Sequence, residues 1–141
     1  MYHLIYTSSE KRLFSPPDLK KLLASARMRN REVGVTGILI YHDGVFLQAL
    51  EGDEAEVLAI FSRIGKDERH TGITMLHRNA TLGKRRLFGD WSMAFADPLG
   101  AAQVLKGFID LKRGLNLAEL DGKTAIEILE ACSKSPTQIS A

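Results

Sequence analysis

Cysteine is nearly absent from this chain. Cys132 is the only one in 141 residues, so no intramolecular disulfide can form and no cysteine cluster can hold a metal. That fits a reducing cytoplasm, the compartment expected here. Charge of one sign is also scarce. A formal net charge of +2 is too small to argue for nucleic acid or an anionic membrane as partner. No apolar run approaches membrane-spanning length, and the opening Met-Tyr-His-Leu-Ile-Tyr lacks the basic region and long apolar stretch of a signal peptide. Repeats and low-complexity tracts are missing. So are a G-x-G-x-x-G after a strand, a phosphate-binding loop, and any Ser/His/Asp set or paired-carboxylate pattern for hydrolysis. What is present is the composition of an ordinary soluble globular domain, 45% hydrophobic and 26% charged, in a chain long enough to bury a core.

The periodicities predict βαββαββ. Tyr2 to Ser8 reads as a strand, rich in aromatic and β-branched residues. Ser15-Pro-Pro-Asp18 opens a helix whose apolar stripe is Leu19, Leu22, Leu23 and Ala26, continued one turn on by Asn30. Val35–Tyr41 and Val45–Glu51 form a hairpin about His42-Asp43-Gly44. Asp53 with Glu56 predicts a capping box for a second helix with the stripe Val57, Ile60, Phe61, Ile64, ending near Gly65. Ile73–Arg78 is a fourth strand, 81–86 a basic loop, and Trp91–Ala96 a fifth strand. An antiparallel-rich α+β sheet of ferredoxin-like type follows. The third strand is apolar on both faces, so both need cover. Two inner helices can cover one face. C-terminal helices, weakly periodic over Leu99–Leu111 and clearer at Ala125, Ile128, Leu129 and Cys132, can cover the other. A sensory domain over 1–97 and a helical extension over 98–141 are the expected divisions.

Gln48 interrupts this pattern. Strand alternation points it the same way as Phe46 and Leu50, and a buried primary amide must meet partners. Tyr6 shares a face with Leu4, and Asn30 lies on the stripe of the first helix. Each has an ordinary reading: a core tyrosine bonded to a carbonyl, a C-terminal helix cap, a hydrogen bond to a neighbour. Together, a phenol donor and two amides could meet a planar heterocycle with alternating carbonyl and N–H edges.

At that point the chain resembles the BLUF family, blue-light sensors that use FAD. The resemblance runs from Tyr2 to about Ala96. It rests on Leu-Ile-Tyr6-Thr-Ser8, Asn30, Gly34-Val-Thr-Gly37-Ile-Leu-Ile-Tyr41, Gly44-Val-Phe-Leu-Gln48-Ala-Leu-Glu51-Gly52, Arg63-Ile64-Gly-Lys-Asp67-Glu-Arg69-His70 and Phe88-Gly-Asp-Trp91-Ser-Met93. It implies an isoalloxazine ring between the two inner helices, with FAD as the cellular flavin and FMN or riboflavin able to substitute. Tyr6 matches an electron-donating tyrosine, and Gln48 the glutamine between it and flavin N5 and C4=O. Asn30 matches the asparagine holding the pyrimidine edge. Arg63 and Asp67 match polar flavin contacts, Leu22 and Ile64 apolar packing on the ring, and Trp91 and Met93 a signalling strand. Arg29 falls beside the ring at a position that varies in the family. Ala26 stands where many members have a serine, this chain's own being Ser25, and the 81–86 loop is longer than in similar short members.

The implied activity is photochemical, not enzymatic. An electron and a proton leave Tyr6 by way of Gln48, whose amide then rotates or tautomerises, alternatives that sequence leaves open. A stronger hydrogen bond at C4=O shifts absorption to the red. No cyclase, phosphodiesterase or DNA-binding domain accompanies the motif, so output is expected to pass through the C-terminal helices to a separate protein, with a homo-oligomer expected. The rivals are a flavin-binding redox enzyme and a ferredoxin-like RNA-binding module. The second lacks the glycine-aromatic stacking motif on its third strand, and Lys84-Arg85-Arg86 alone is weak support for phosphate contacts.

Overall fold

A computed structural model describes residues 1–11, 15–42, 44–89, 93–96 and 119–134. The elements run β1 (Tyr2–Glu10), α1 (Pro16–Glu32), β2 (Thr36–His42), β3 (Val45–Gly52), α2 (Glu54–Gly65), β4 (His70–Asn79), β5 (Ala94–Ala96) and α3 (Gly122–Ser133). The sheet order is β4-β1-β3-β2-β5. The first four strands pair antiparallel, in the ferredoxin-like order expected, and β5 adds parallel to β2.

Local chemistry sets the boundaries. Ser15 caps α1 reciprocally: its hydroxyl accepts from the Asp18 amide at 3.3 Å, while the Asp18 carboxylate accepts from the Ser15 amide at 2.9 Å. The capping box expected for α2 does not form. Asp53 is the N-cap there but makes no side-chain cap bond; it is exposed, so water competes for its carboxylate. His42 pairs with Val45, and Gly44 takes φ 74°, as a tight hairpin needs. Gly37 lets β2 lie close on β3, since a Cβ there would stand 2.1 Å from the Ala49 carbonyl oxygen.

Strand alternation builds two cores. Tyr2, Leu4 and Tyr6 of β1, Leu39 of β2 and Phe46 and Leu50 of β3 face α1 and α2, and Met93 joins them. Ile5, Ile38, Ile40, Leu47 and Ala49 face the other way, against Phe88 and the Ala125, Ile128, Leu129, Cys132 stripe of α3. Both sheet faces are thus covered as expected. Leu99–Leu111 and Trp91 lie outside the described residues. The fifth strand is shorter than expected: β5 pairs only Ala94, Phe95 and Ala96 with Ile38, Leu39 and Ile40, and Met93 immediately precedes it.

The α3 stripe is buried on its own sheet, with Leu129 and Ile128 at 0% exposure, rather than left for a second copy. Leu129→Glu would place an unpaired carboxylate in that core. We expect it to cost on the order of 4 kcal/mol or more, seen as a fall of at least about 13 °C in melting temperature. A melting temperature within a degree or two of the unaltered chain would show that this stripe is not packed as described.

Candidate functional site

Between α1, α2 and the sheet lies a cleft of about 590 Å³, counting its open mouth. Its floor is Tyr6 and Ser8 of β1, Leu39 of β2 and Phe46 and Gln48 of β3; one wall is Leu22, Ala26, Arg29 and Asn30 of α1; the other is Ile60 and Ile64 of α2, with Asp67, Arg69 and His70 beyond. Mostly apolar walls with a few converging polar groups are the make-up of a small-molecule site.

The register of β1 on β3 makes the floor. Tyr6 stands directly opposite Gln48, on the same face. The Tyr6 hydroxyl donates to Gln48 Oε1 in a buried hydrogen bond. On the other end of the same amide, Nε2 donates to Met93 Sδ at 3.5 Å. A thioether is a weak acceptor, so one end of the Gln48 amide is held firmly and the other loosely. Burial pushes the Tyr6 phenol well above its ordinary value; the Asp67 charge adds to this and Arg29 opposes it. The phenol therefore remains a proton donor across the physiological range. The Phe61 ring lies 5.3 Å from the Tyr6 ring, tilted 58°.

Asn30 is buried near the C-terminal end of α1. Its carbonyl accepts from the Val33 and Val35 amides, closing the helix, so the side chain is not needed for that role. Arg29 Nε is buried in the same wall without a hydrogen-bond partner. At the mouth, Asp67 forms a two-pronged pair with Arg69, the shortest contact being 2.6 Å. The Arg69 hydrogen bonds hold the Asp67 carboxyl below the usual carboxylate range, against some opposition from burial. His70 Nε2 donates to the Ile64 carbonyl at 2.8 Å, and Nδ1 pairs with Ser8 Oγ at 2.8 Å, tying β4 to the end of α2 and to β1.

Of the sequence-predicted residues, the cleft gathers Tyr6, Leu22, Arg29, Asn30, Gln48, Ile64 and Asp67. Met93 sits behind Gln48, fully buried. Arg63 is exposed on α2 and is not among the lining residues. Its position follows helical spacing: Ile60 and Ile64 face the cleft, and Arg63 lies off that line. Sequence reasoning missed Ser8, Arg69 and His70 as lining residues. Ser8 could have been found from its two-residue spacing to Tyr6 on one strand face.

A planar heterocycle with donors and acceptors on its edge fits this cleft. It would meet apolar walls, the Asn30 and Gln48 amides, and the unpaired Arg29 donor.

The family described as BLUF, sensors of blue-light using FAD, matches residues 1–94. The chain belongs to the BLUF family, whose members are flavin-binding blue-light sensors. It is similar to the photoactivated adenylate cyclase subunit beta of Euglena gracilis, 36% identical over 93 residues, which are 66% of this chain and 11% of that protein. The chain thus spans about a tenth of the length of that relative. Among solved structures it is similar to BlsA in its photo-activated state, with a TM-score of 0.84 at 26% identity over 98% of this chain and 99% of that one. The dark state of the BLUF protein BlrB aligns with a TM-score of 0.76 at 26% identity, covering 95% and 96% of the two chains.

Proposed function

We propose that this chain is a blue-light photoreceptor that binds FAD non-covalently in the α1–α2 cleft and signals through Gln48 and Met93. The observation that carries this is the buried Tyr6–Gln48–Met93 chain at the cleft floor. Asn30, Gln48, Arg29 and Asp67 would hold the polar edges of the ring, and Leu22 and Ile64 would pack on its faces. Arg63, exposed as it is, would contact only parts of the cofactor outside the cleft. When bound and excited by blue light, the flavin supplies a strong oxidant. Tyr6 would give its electron to the flavin, and its phenolic proton would follow toward the flavin by way of the Gln48 carboxamide, whose oxygen already accepts the phenol's hydrogen bond. Return of the electron and proton leaves the Gln48 amide in a changed hydrogen-bonding arrangement. That arrangement no longer offers N–H to Met93 in the same way, and the Met93–β5 segment responds. A local hydrogen-bond change thereby biases a two-state element.

We read the activity as sensing rather than catalysis. In the proposed division, residues 1–97 carry photochemistry, and residues 98–141 pass it to a separate protein, α3 lying on the sheet face opposite the cleft. Trp91 would act beside Met93 in this relay. The test is direct. The purified protein is expected to take up one oxidised FAD per chain and to show a reversible red shift under blue light. A colourless protein that takes up no FAD, FMN or riboflavin would overturn the reading. Bound flavin that bleaches with added substrate but never red-shifts would favour a redox enzyme.

A further inference from the structure

Met93 is held from two sides. Its sulfur meets Gln48 Nε2 at 3.5 Å, and its backbone carbonyl accepts from Arg27 Nε of α1 at 2.9 Å. The second bond is the stronger, because a guanidinium donor is charged and a thioether is a poor acceptor. Arg27 is drawn inward to make it: the side chain is half-buried, and burial, then Arg31 one turn on, lowers its pKa from the ordinary arginine value. Arg27 follows Ala26 and precedes Asn30 by one turn, both of them cleft-lining residues. The tether therefore runs from the cofactor-facing helix to the residue beside Gln48. On its far side Met93 leads into β5, an edge strand among the described residues, only three residues long and paired to β2 alone.

Resting on the photoreceptor reading above, we propose that Arg27 is a positioning residue that holds Met93 against Gln48 and so sets the lifetime of the light-adapted state. Both contacts end on one residue. A backbone shift of about one ångström at Met93 would lengthen the Arg27 bond beyond hydrogen-bond range as well as the sulfur contact. Leaving the dark arrangement therefore loses the carbonyl bond, and returning to it regains that bond. Without Arg27 the dark arrangement loses this advantage while the Tyr6–Gln48 chemistry stays intact.

The experiment follows dark recovery of the red-shifted absorption in the flavin-loaded full chain. Arg27→Ala is expected to bind flavin, to keep the dark spectrum and the size of the red shift, to lower the melting temperature by no more than a few degrees, and to recover about three- to tenfold more slowly, the scale of one half-buried charge-assisted hydrogen bond. Arg27→Lys keeps the charge and stem but not the planar fork, so its rate should fall between the two. It also carries the test if Arg27→Ala fails to fold. Unchanged or faster recovery in the folded variants overturns the proposal. So does slower recovery accompanied by an altered dark spectrum or a smaller red shift, which would mark Arg27 as merely structural. No red shift in the unaltered protein would overturn the photoreceptor reading itself, and this inference with it.

Discussion

Gln48→Leu is expected to bind flavin and show no red-shifted state under blue light. The side chains are of similar size, so the cleft floor keeps its shape, and Leu50 and Phe46 on the same face already make that surface apolar. What is lost is the amide. Tyr6 then has no Oε1 to donate to, and Met93 receives no N–H. A buried hydroxyl without its acceptor costs about 1–3 kcal/mol, so a modest drop in stability should accompany the loss of photochemistry. Tyr6→Phe should also load flavin and fail to photocycle, since it removes the donor hydroxyl but keeps the ring against Phe61. Difference absorption spectroscopy under blue light, on samples of equal flavin occupancy, decides the matter. A normal red shift in Gln48→Leu would take the residue out of the mechanism.

The largest loss of stability from a single polar truncation should come on the other sheet face, at Glu51. Its side chain is fully buried. The carboxylate accepts from the Leu87 amide at 2.5 Å and the Phe88 amide at 3.0 Å, and meets His3 Nε2 at 3.0 Å. His3 is equally buried, and its Nε2 also reaches the Arg85 carbonyl at 3.2 Å. Glu51 thus pins residues 85–88 to the sheet and seats Phe88 in the core beneath α3. Glu51→Ala leaves the Leu87 and Phe88 amides without their acceptor and takes from the His3 Nε2–H one of its two, and about 3–5 kcal/mol should be lost in denaturant unfolding. Glu51→Gln, which keeps one oxygen acceptor, should lose less. The cleft proposed to hold flavin lies across the sheet, so the folded fraction of flavin-loaded protein should keep its absorption spectrum. A loss below about 1 kcal/mol for Glu51→Ala would mean the clamp contributes little.

These two residues lie three positions apart on β3 and illustrate what could be read in advance. Strand parity alone puts Gln48 with Phe46 and Leu50 and sets Glu51 on the Leu47 and Ala49 face. Helical periodicity alone puts Asn30 on the Leu19–Ala26 stripe. Those are one-dimensional facts, and they pointed to the α1–α2 face. The pairing of Tyr6 with Gln48 is not such a fact. It depends on the register between strands 42 residues apart, and a slip of one residue would send one of them to the opposite face. Glu51 passed as the polar end of a strand because its partners, His3 and the amides at 87 and 88, come from distant segments. The capping box went to the wrong helix for a related reason: Asp53 and Glu56 have the required spacing, but the exposed Asp53 carboxylate is free to prefer water.

The sequence by itself therefore determined the alternation of elements, the face on which each polar residue falls, and membership of a flavin-binding, light-sensing family, because periodicity and motif spacing are properties of a single chain. Tertiary structure decided which of those residues meet. It set Tyr6 against Gln48, left Arg63 outside the cleft, brought Ser8, Arg69 and His70 to its lining, and joined Arg27 to the Met93 carbonyl. Each of these contacts joins segments whose distance in space is fixed by strand register and helix packing, neither of which is written in the spacing of residues along the chain.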